Sequence, residues 1–163
     1  GRLEPQKRWD RLLAALPRLA DPEVKLLLLG EGSARAALEA QVAALGLGAR
    51  VIMPGHAGDP LPALRGAAVA VLTSDYEGVP GVLREALSVG TPVVSTESSV
   101  AVREIVHTPE LGTVVAREDA DGLIAALDYW LRPDAVRPEP ITAAGDPIAE
   151  YLALFDRVVA ERA

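Results

Sequence analysis

Five short apolar runs, separated from one another by helical patterns, constrain the fold of this chain more than any other feature. The runs are Val24–Leu29, Val51–Met53, Val69–Leu72, Pro92–Ser95 and Thr113–Val115. Their residues are apolar almost without interruption, which is typical of strands that are buried on both faces. Such strands belong to a parallel sheet that helices cover on both sides.

The segments between the runs carry helical periodicity. The first apolar stripe consists of Trp9, Leu12, Leu13 and Leu16, at spacings of i, i+3, i+4 and i+7. The segment 33–45 begins on Ser33, which we expect to cap a helix, and stops at Gly46. The alternation of helix and strand predicts an α/β fold, a Rossmann-like doubly wound parallel sheet flanked by helices.

The pattern divides the chain into three parts. Residues 1–132 carry the sheet and its helices, 133–147 are rich in proline and are predicted to be a linker, and 148–163 are predicted to form a C-terminal amphipathic helix. The apolar positions of that helix are Ile148, Leu152, Phe155 and Val159. Because Gly1 leads straight into a loop and a helix, we expect the domain to lack its first strand.

Composition excludes several classes of function. The 163 residues carry a net charge of −7, which disfavours non-specific binding to nucleic acid. The chain has no cysteine, so disulfides and thiolate chemistry are absent, and His56 and His107 lack metal-ligand spacing. No apolar run is long enough to span a membrane and no signal peptide is visible, so we expect a cytoplasmic protein.

A pair of glutamates, Glu77 and Glu85, marks the candidate site. Glu77 lies between a strand and a helix, in a turn with Gly78 and Pro80, where the helix dipole favours an acid whatever the protein does. Glu85 lies ~7.5 Å along the helix from Pro80. A ligand with a phosphate and two hydroxylated ends would fit this layout.

The helical periodicity places Glu85 on the face opposite the apolar stripe, together with Gly81. A solvated surface glutamate is the simpler interpretation. The bare backbone at Gly81 favours a ligand, and the amides of Gly81 and Val82 at the start of the helix could bind a phosphate.

Cations for such a ligand could come from the start of the chain. Arg2 and Lys7 flank a loop that enters the first helix, at the edge of the sheet where ligands of open α/β folds bind, although basic residues are also common on any surface. The motif Gly30-Glu31-Gly32-Ser33 resembles a phosphate loop, but Arg35 stands where the dinucleotide fingerprint needs glycine. We interpret it as a tight turn between strand and helix.

The ordered set of motifs resembles the C-terminal, donor-binding domain of a family-four retaining glycosyltransferase with the GT-B fold. The motifs are Gly1-Arg2-Leu3 with Gln6-Lys7, Leu29-Gly30-Glu31-Gly32, Gly55, Glu77-Gly78 with Pro80, Glu85-Ala86, and Gly90-Thr91-Pro92-Val93-Val94. Each motif is weak alone, but together they cover essentially the whole chain in the family's order. The two acids with seven residues between them, a Glu-x7-Glu motif, are the signature of the family.

The resemblance implies a nucleotide-diphosphate sugar as substrate, without cofactor or metal. Arg2 and Lys7 would neutralise the diphosphate, and backbone groups of Gly78, Gly81 and Val82 would contact the phosphate or the sugar. Glu77, as the catalytic carboxylate, would bind sugar hydroxyls near the reacting carbon. Glu85 would hold the ribose, and the base would lie near Met53.

The resemblance further implies a hexosyltransferase of polysaccharide or glycoconjugate biosynthesis. The family's N-terminal acceptor domain is absent, so we expect the fragment to be inactive alone. That N-terminal domain could also mediate peripheral association with a membrane. The loop Ser98–Ile105 lacks the glycines that are common in the family. Two alternatives are a non-catalytic α/β module that senses sugar nucleotides or mediates interactions, and a related two-domain sugar-nucleotide epimerase.

Overall fold

The computed structural model describes residues 1–141 and 147–160. Within these ranges it has five strands and seven α-helices in the predicted order. The strands are β1 (Leu26–Leu29), β2 (Val51–Gly55), β3 (Ala70–Leu72), β4 (Val93–Thr96) and β5 (Gly112–Val115). The helices are α1 (Trp9–Ala15), α2 (Arg35–Ala44), α3 (Leu61–Gly66), α4 (Gly81–Ser88), α5 (Val100–Ile105), α6 (Ala120–Trp130) and α7 (Pro147–Ala160). Two 3₁₀ turns, Pro5–Lys7 and Leu16–Arg18, flank α1.

All strand pairs are parallel, as the apolar runs predict. β1 pairs with β2, and β3, β4 and β5 pair in that order, with Ala70 opposite Val93 and Val93 opposite Gly112. The α/β class with helices flanking parallel strands is confirmed. The described strands nevertheless form two sheets rather than one, because β1 and β3 are not hydrogen-bonded to each other.

Helices cover β4 on both faces, as in a doubly wound fold. Val94 packs into a core with residues of α1 and α6, including Leu13 and Trp130, whereas its neighbour Val93 packs into a second core with Leu83 of α4. Successive residues of a strand point to opposite faces, so the two valines separate the two cores. Both valines are fully buried.

The smaller sheet is less covered than the sequence predicts. Leu27 of β1 and Ile52 of β2 stand opposite each other in the register and are 45% and 47% exposed. Their apolar character predicts burial on both faces. In the described part of the chain this face of β1 and β2 is only partly covered.

The prediction that Ser33 caps α2 is wrong. The helix begins at Arg35 with Ala34 at its N-cap, and no side chain caps it. The Ser33 hydroxyl instead donates to Glu4 Oε2 at 2.6 Å, and the Ser33 amide donates to Glu4 Oε1 at 3.2 Å. The carboxylate of Glu4, in the first loop, therefore accepts hydrogen bonds from both the amide and the hydroxyl of Ser33, just before α2.

The proline-rich segment up to residue 141 lies against the sheet domain. The guanidinium of Arg137 donates to the carbonyls of Arg65, Ala67 and Gly90 and to the Thr91 hydroxyl, at 2.7–3.2 Å. The helix α7 follows after residues 142–146, which are not described. It confirms the predicted C-terminal helix as far as Ala160 and exposes apolar side chains such as Leu152 and Phe155, whereas the side chain of Ile148 and residues 161–163 lie outside the described residues.

Candidate functional site

The first loop is fixed to the segment that follows β3. The hydroxyl of Thr73, which is fully buried, donates to the carbonyls of Lys7 and Arg8 at 3.0 and 2.9 Å. The amide of Asp75 donates to the carbonyl of Gln6 at 2.9 Å. Three carbonyls in succession are thus held by the carboxyl end of one strand, which sets the direction of the Lys7 side chain.

Lys7 and Glu77 meet at this junction. Lys7 Nζ lies 2.6 Å from Glu77 Oε1, and the two side chains are only 15% and 11% exposed. The Ser74 hydroxyl donates to the same carboxylate oxygen at 2.6 Å, and the amide of Glu77 donates to the Ser98 carbonyl at 3.0 Å. The carboxylate is therefore held in one orientation by a cation, a hydroxyl and its own backbone.

Helix α4 begins four residues after Glu77. Pro80 is its N-cap, so Gly81 and Val82 are the first helical residues, whose amides have no partner within the helix. Glu85 is exposed, and its Oε1 would lie 3.7 Å from a Cβ placed on Gly81. Glu85 and Gly81 thus share one solvent-facing side of α4, as the periodicity predicts.

The backbone of the first three residues packs closely on the turn after β1. A Cβ on Gly30, whose φ is 144°, would lie 1.9 Å from the Gly1 carbonyl oxygen, and one on Gly32 would lie 2.3 Å from the Leu3 carbonyl oxygen. No side chain fits at either position. The glycines of this turn therefore serve close packing of two backbones, which agrees with a tight turn and not with a phosphate loop.

The charges of Lys7 and Glu85 both act on the amino group of Gly1. The pKa of the Gly1 amino group is lowered by burial and then by the charge of Lys7, while Glu85 acts in the opposite direction.

Arg2 lies apart from this group. Its side chain is exposed, and its carbonyl accepts a hydrogen bond from Trp9 Nε1 at 3.1 Å. The pKa of Glu4 is lowered by its hydrogen bonds from Ser33, and Arg2 adds to this effect through its charge. Lys7 thus contacts Glu77, whereas Arg2 acts on Glu4 through its charge.

Met53 lies within β2 and is half-buried. Its carbonyl accepts a hydrogen bond from Arg35 Nη2 at 2.8 Å, and Arg35 Nη1 also pairs with Glu31 at 2.8 Å. The side chain of Glu31 in turn reaches the neighbourhood of Gly55, to 2.9 Å from a Cβ placed there. The backbone at Met53 is therefore already engaged by an arginine side chain.

A network of charges supports the first loop from the other side. Arg8 adopts a left-handed backbone conformation with φ 49° and pairs with Asp10 at 3.0 Å and with Asp75 at 3.2 Å. Arg11 contacts the same Asp75 carboxylate at 2.8 Å. Burial alone would raise the pKa of Asp75, but the hydrogen bonds and charges of Arg8 and Arg11 outweigh it and lower the pKa.

Thr73, Ser74 and the Arg8–Asp75 pair were not predicted from the sequence. The available signal was the sequence Thr73-Ser74-Asp75, three polar residues directly after a buried strand. Polar side chains at the carboxyl end of a parallel strand commonly take part in a site.

Among residues 1–141 and 147–160, no three histidine, aspartate or glutamate side chains group as metal ligands. Within the same ranges, no helix has the length and apolar character needed to cross a membrane.

Comparison with known proteins places this geometry in a family. Residues 1–144 match the family model described as glycosyl transferases group 1. The chain is 34% identical, over 137 residues, to the lipopolysaccharide core biosynthesis glycosyltransferase LpsE of Rhizobium meliloti, a match that covers 84% of this chain and 39% of that protein.

Solved structures agree. The apo lipopolysaccharide outer core galactosyltransferase WaaB superposes with a TM-score of 0.77 at 27% identity, covering 83% of this chain and 40% of that one. Anabaena HepE in complex with UDP superposes with a TM-score of 0.69 at 25% identity, covering 78% and 37%. The chain thus spans about two fifths of the length of these proteins, and it belongs to the glycosyl transferases group 1 family.

Proposed function

We propose that this chain is the donor-binding half of a retaining glycosyltransferase that transfers a hexose from a nucleotide-diphosphate sugar to an acceptor. The observation that carries the proposal is the Lys7–Glu77 pair at 2.6 Å, which joins the first loop to the turn before α4. A cation, a fixed carboxylate and the free amides of a helix start meet there. HepE, a structural neighbour, has been solved with UDP bound.

The negative charge of the donor's phosphates indicates the roles of the surrounding residues. Departure of a nucleoside diphosphate builds negative charge on its phosphates, which Lys7 and the amides of Gly81 and Val82 would stabilise. Arg2, whose side chain is exposed, would join them as a second cation. Gly78 is exposed and lies beside Glu77, where its backbone can approach a sugar.

The two glutamates would bind opposite ends of the donor. Glu77 would accept hydrogen bonds from sugar hydroxyls, and Lys7 would move from the carboxylate towards the diphosphate as the donor enters. Glu85, on the open side of α4, would accept hydrogen bonds from the ribose. The base would lie beside Met53, where the side chains of Arg35 and Glu31 could also contact it.

Transfer itself would need residues outside this chain. Because the chain spans about two fifths of its relatives, we propose that the acceptor is bound by a further domain and that residues 1–163 alone bind donor without transferring it. Nucleotide sugars as donors agree with a cytoplasmic location. Contact with a membrane surface would be made by the part of the protein that binds the acceptor.

Calorimetric titration with UDP-, GDP- and ADP-sugars tests the donor site. We expect one of them to bind, and Lys7→Ala and Glu85→Ala each to weaken it by about 10-fold or more, because hydrogen bonds to charged groups contribute about 1.5–3 kcal/mol. Glu104→Ala, which removes another exposed helical glutamate, is the matched control and should bind as the parent does. Binding to none of these donors, or equal affinity in all three variants, would contradict the proposal.

A further inference from the structure

Asp75 connects three separate parts of the chain. Its amide donates to the Gln6 carbonyl, in the first loop, at 2.9 Å. Its carboxylate accepts hydrogen bonds from Arg8 Nη1 at 3.2 and 3.3 Å and lies 2.8 Å from Arg11 Nη1. Its carbonyl accepts a hydrogen bond from Arg117, between β5 and α6, at 3.1 Å. The first loop, the start of α1 and the segment before α6 thus all hold this one residue.

Arg8 follows Lys7 directly and has an unfavourable backbone conformation. Its φ of 49° lies in the left-handed region, which residues with a Cβ rarely adopt. The chain turns at this point, between the 3₁₀ turn that ends at Lys7 and the first residue of α1. The ion pairs of the Arg8 guanidinium with Asp10 and Asp75 favour the turn and offset its cost.

The Arg8–Asp75 pair closes a ring of contacts with the candidate site. Lys7 Nζ and the Ser74 hydroxyl both contact Glu77 Oε1, each at 2.6 Å. Arg8 is the residue after Lys7, and Asp75 is the residue after Ser74. Because the two pairs join the same two segments, loss of one pair changes the geometry of the other.

We propose that Asp75 is a positioning residue of the donor site: through the Arg8 guanidinium it fixes the turn that directs Lys7 towards the donor's phosphates, without itself touching the donor. This inference rests on the proposed donor-binding function. The charge of the carboxylate is the active feature, because asparagine at position 75 would keep both backbone hydrogen bonds but would offer no anion to the two guanidinium groups of α1 and its start.

The NMR signals of Lys7 test the inference in the free protein. The chain has two lysines, Lys7 and Lys25, and Lys25 is exposed, so it serves as an internal reference in a sample labelled with ¹³C-lysine. In Asp75→Asn we expect the Cε and Hε resonances of Lys7 to move towards those of Lys25. The matched control is Asp121→Asn, which removes an exposed carboxylate that pairs with Arg18, and it should leave the Lys7 resonances in place.

Donor affinity tests the consequence for binding. We expect Asp75→Asn to weaken the nucleotide sugar selected by the calorimetric titration by about 3- to 10-fold, whereas Asp121→Asn should bind it as the parent does. In a Lys7→Ala background the same Asp75→Asn change should alter the affinity by less than about 2-fold, because the cation that Asp75 positions is gone. A loss of stability alone would not produce this dependence on Lys7.

A second variant covers the case in which Asp75→Asn does not fold. Arg8→Gln removes the pair from its other side and should give the same movement of the Lys7 resonances and the same loss of affinity. Failure of both variants to fold would overturn the proposal, because the pair would then be required by the fold as a whole.

Unmoved Lys7 resonances in Asp75→Asn, an equal loss of affinity with and without Lys7, or an equal effect of Asp121→Asn would also overturn it. If the parent binds a donor and Asp75→Asn binds it equally well, this inference fails while the proposed function stands. If the parent binds no nucleotide sugar, the proposed function fails, and the role of Asp75 in donor binding fails with it.

Discussion

The ion pair between Lys7 and Glu77 should show strong energetic coupling in a double-mutant cycle. At the observed separation of 2.6 Å, two unit charges attract by ~6 kcal/mol at an effective dielectric constant of 20. Removing two nearly buried charges from water offsets much of that attraction, at several kcal/mol for each ion. We therefore expect a net coupling of about 2 kcal/mol.

Each single variant should lower the free energy of unfolding by more than half of the amount by which the double variant lowers it. Lys7→Met leaves Glu77 at 11% exposure with Ser74 as its remaining side-chain partner, and Glu77→Gln leaves a lysine without its counter-charge. Each should lower the free energy of unfolding by about 2–3 kcal/mol, because an uncompensated buried charge is costly. In the double variant no charge remains buried, so the loss should fall below the sum of the two single losses by the coupling energy.

Urea denaturation followed by circular dichroism measures all four corners of the cycle. The exposed pair Arg18–Asp121, whose side chains are 55% and 86% exposed, is the control, and its coupling should be at most ~1 kcal/mol and should fall further in 0.5 M salt. The reasoning is refuted if the losses at Lys7 and Glu77 add within ~0.5 kcal/mol. It is also refuted if salt weakens both pairs equally.

Two further predictions concern the backbone and the charge network. Gly30→Ala should destabilise the chain by more than ~2 kcal/mol in thermal unfolding, because its Cβ would lie 1.9 Å from the Gly1 oxygen, whereas Gly46→Ala, with a positive φ but no neighbour within 4 Å, should cost about 1 kcal/mol. Asp75→Asn should lower stability at pH 7, because the lowered pKa of Asp75 means that its charged form stabilises the fold above the unfolded value of about 3.9. That difference should shrink as the pH falls below ~4, and a gap that persists undiminished in acid titrations would show that the charge of Asp75 is not its source.

The strands and the class of fold could be predicted because they depend on local pattern. Each apolar run became a strand with ends shifted by no more than two residues, as at β1, which begins at Leu26 rather than Val24. That Ser33 does not cap α2 could not be predicted, because its partner Glu4 lies 29 residues away in the sequence. The separation of β1 from β3 could not be predicted from the apolar runs either, because the pattern of a run does not indicate which strands pair.

The residues of the candidate site could be predicted from the sequence, but the contacts between them could not. Glu77 and Glu85 could be chosen from the turn and from the helical periodicity, and the structure places Glu85 and Gly81 on one open side of α4. The contact of Lys7 with Glu77 spans 70 residues and depends on Thr73 holding the first loop. The backbone on either side of Arg2 is instead fixed to the turn after β1, and the side chain of Arg2 is exposed, so Lys7 rather than Arg2 contacts the carboxylate.

The hydrogen bonds of Arg137 connect separate segments of this chain without a covalent bond. One guanidinium ties the proline-rich segment to two separate loops, those that precede β3 and β4, and three of its four acceptors are backbone carbonyls. The contacts to the carbonyls therefore do not depend on the side chains of Arg65 and Ala67, which are free to diverge in sequence, whereas the fourth contact requires the hydroxyl of Thr91. The chain has no cysteine, and these hydrogen bonds connect its segments in a way that neither a reductant nor an oxidant can break.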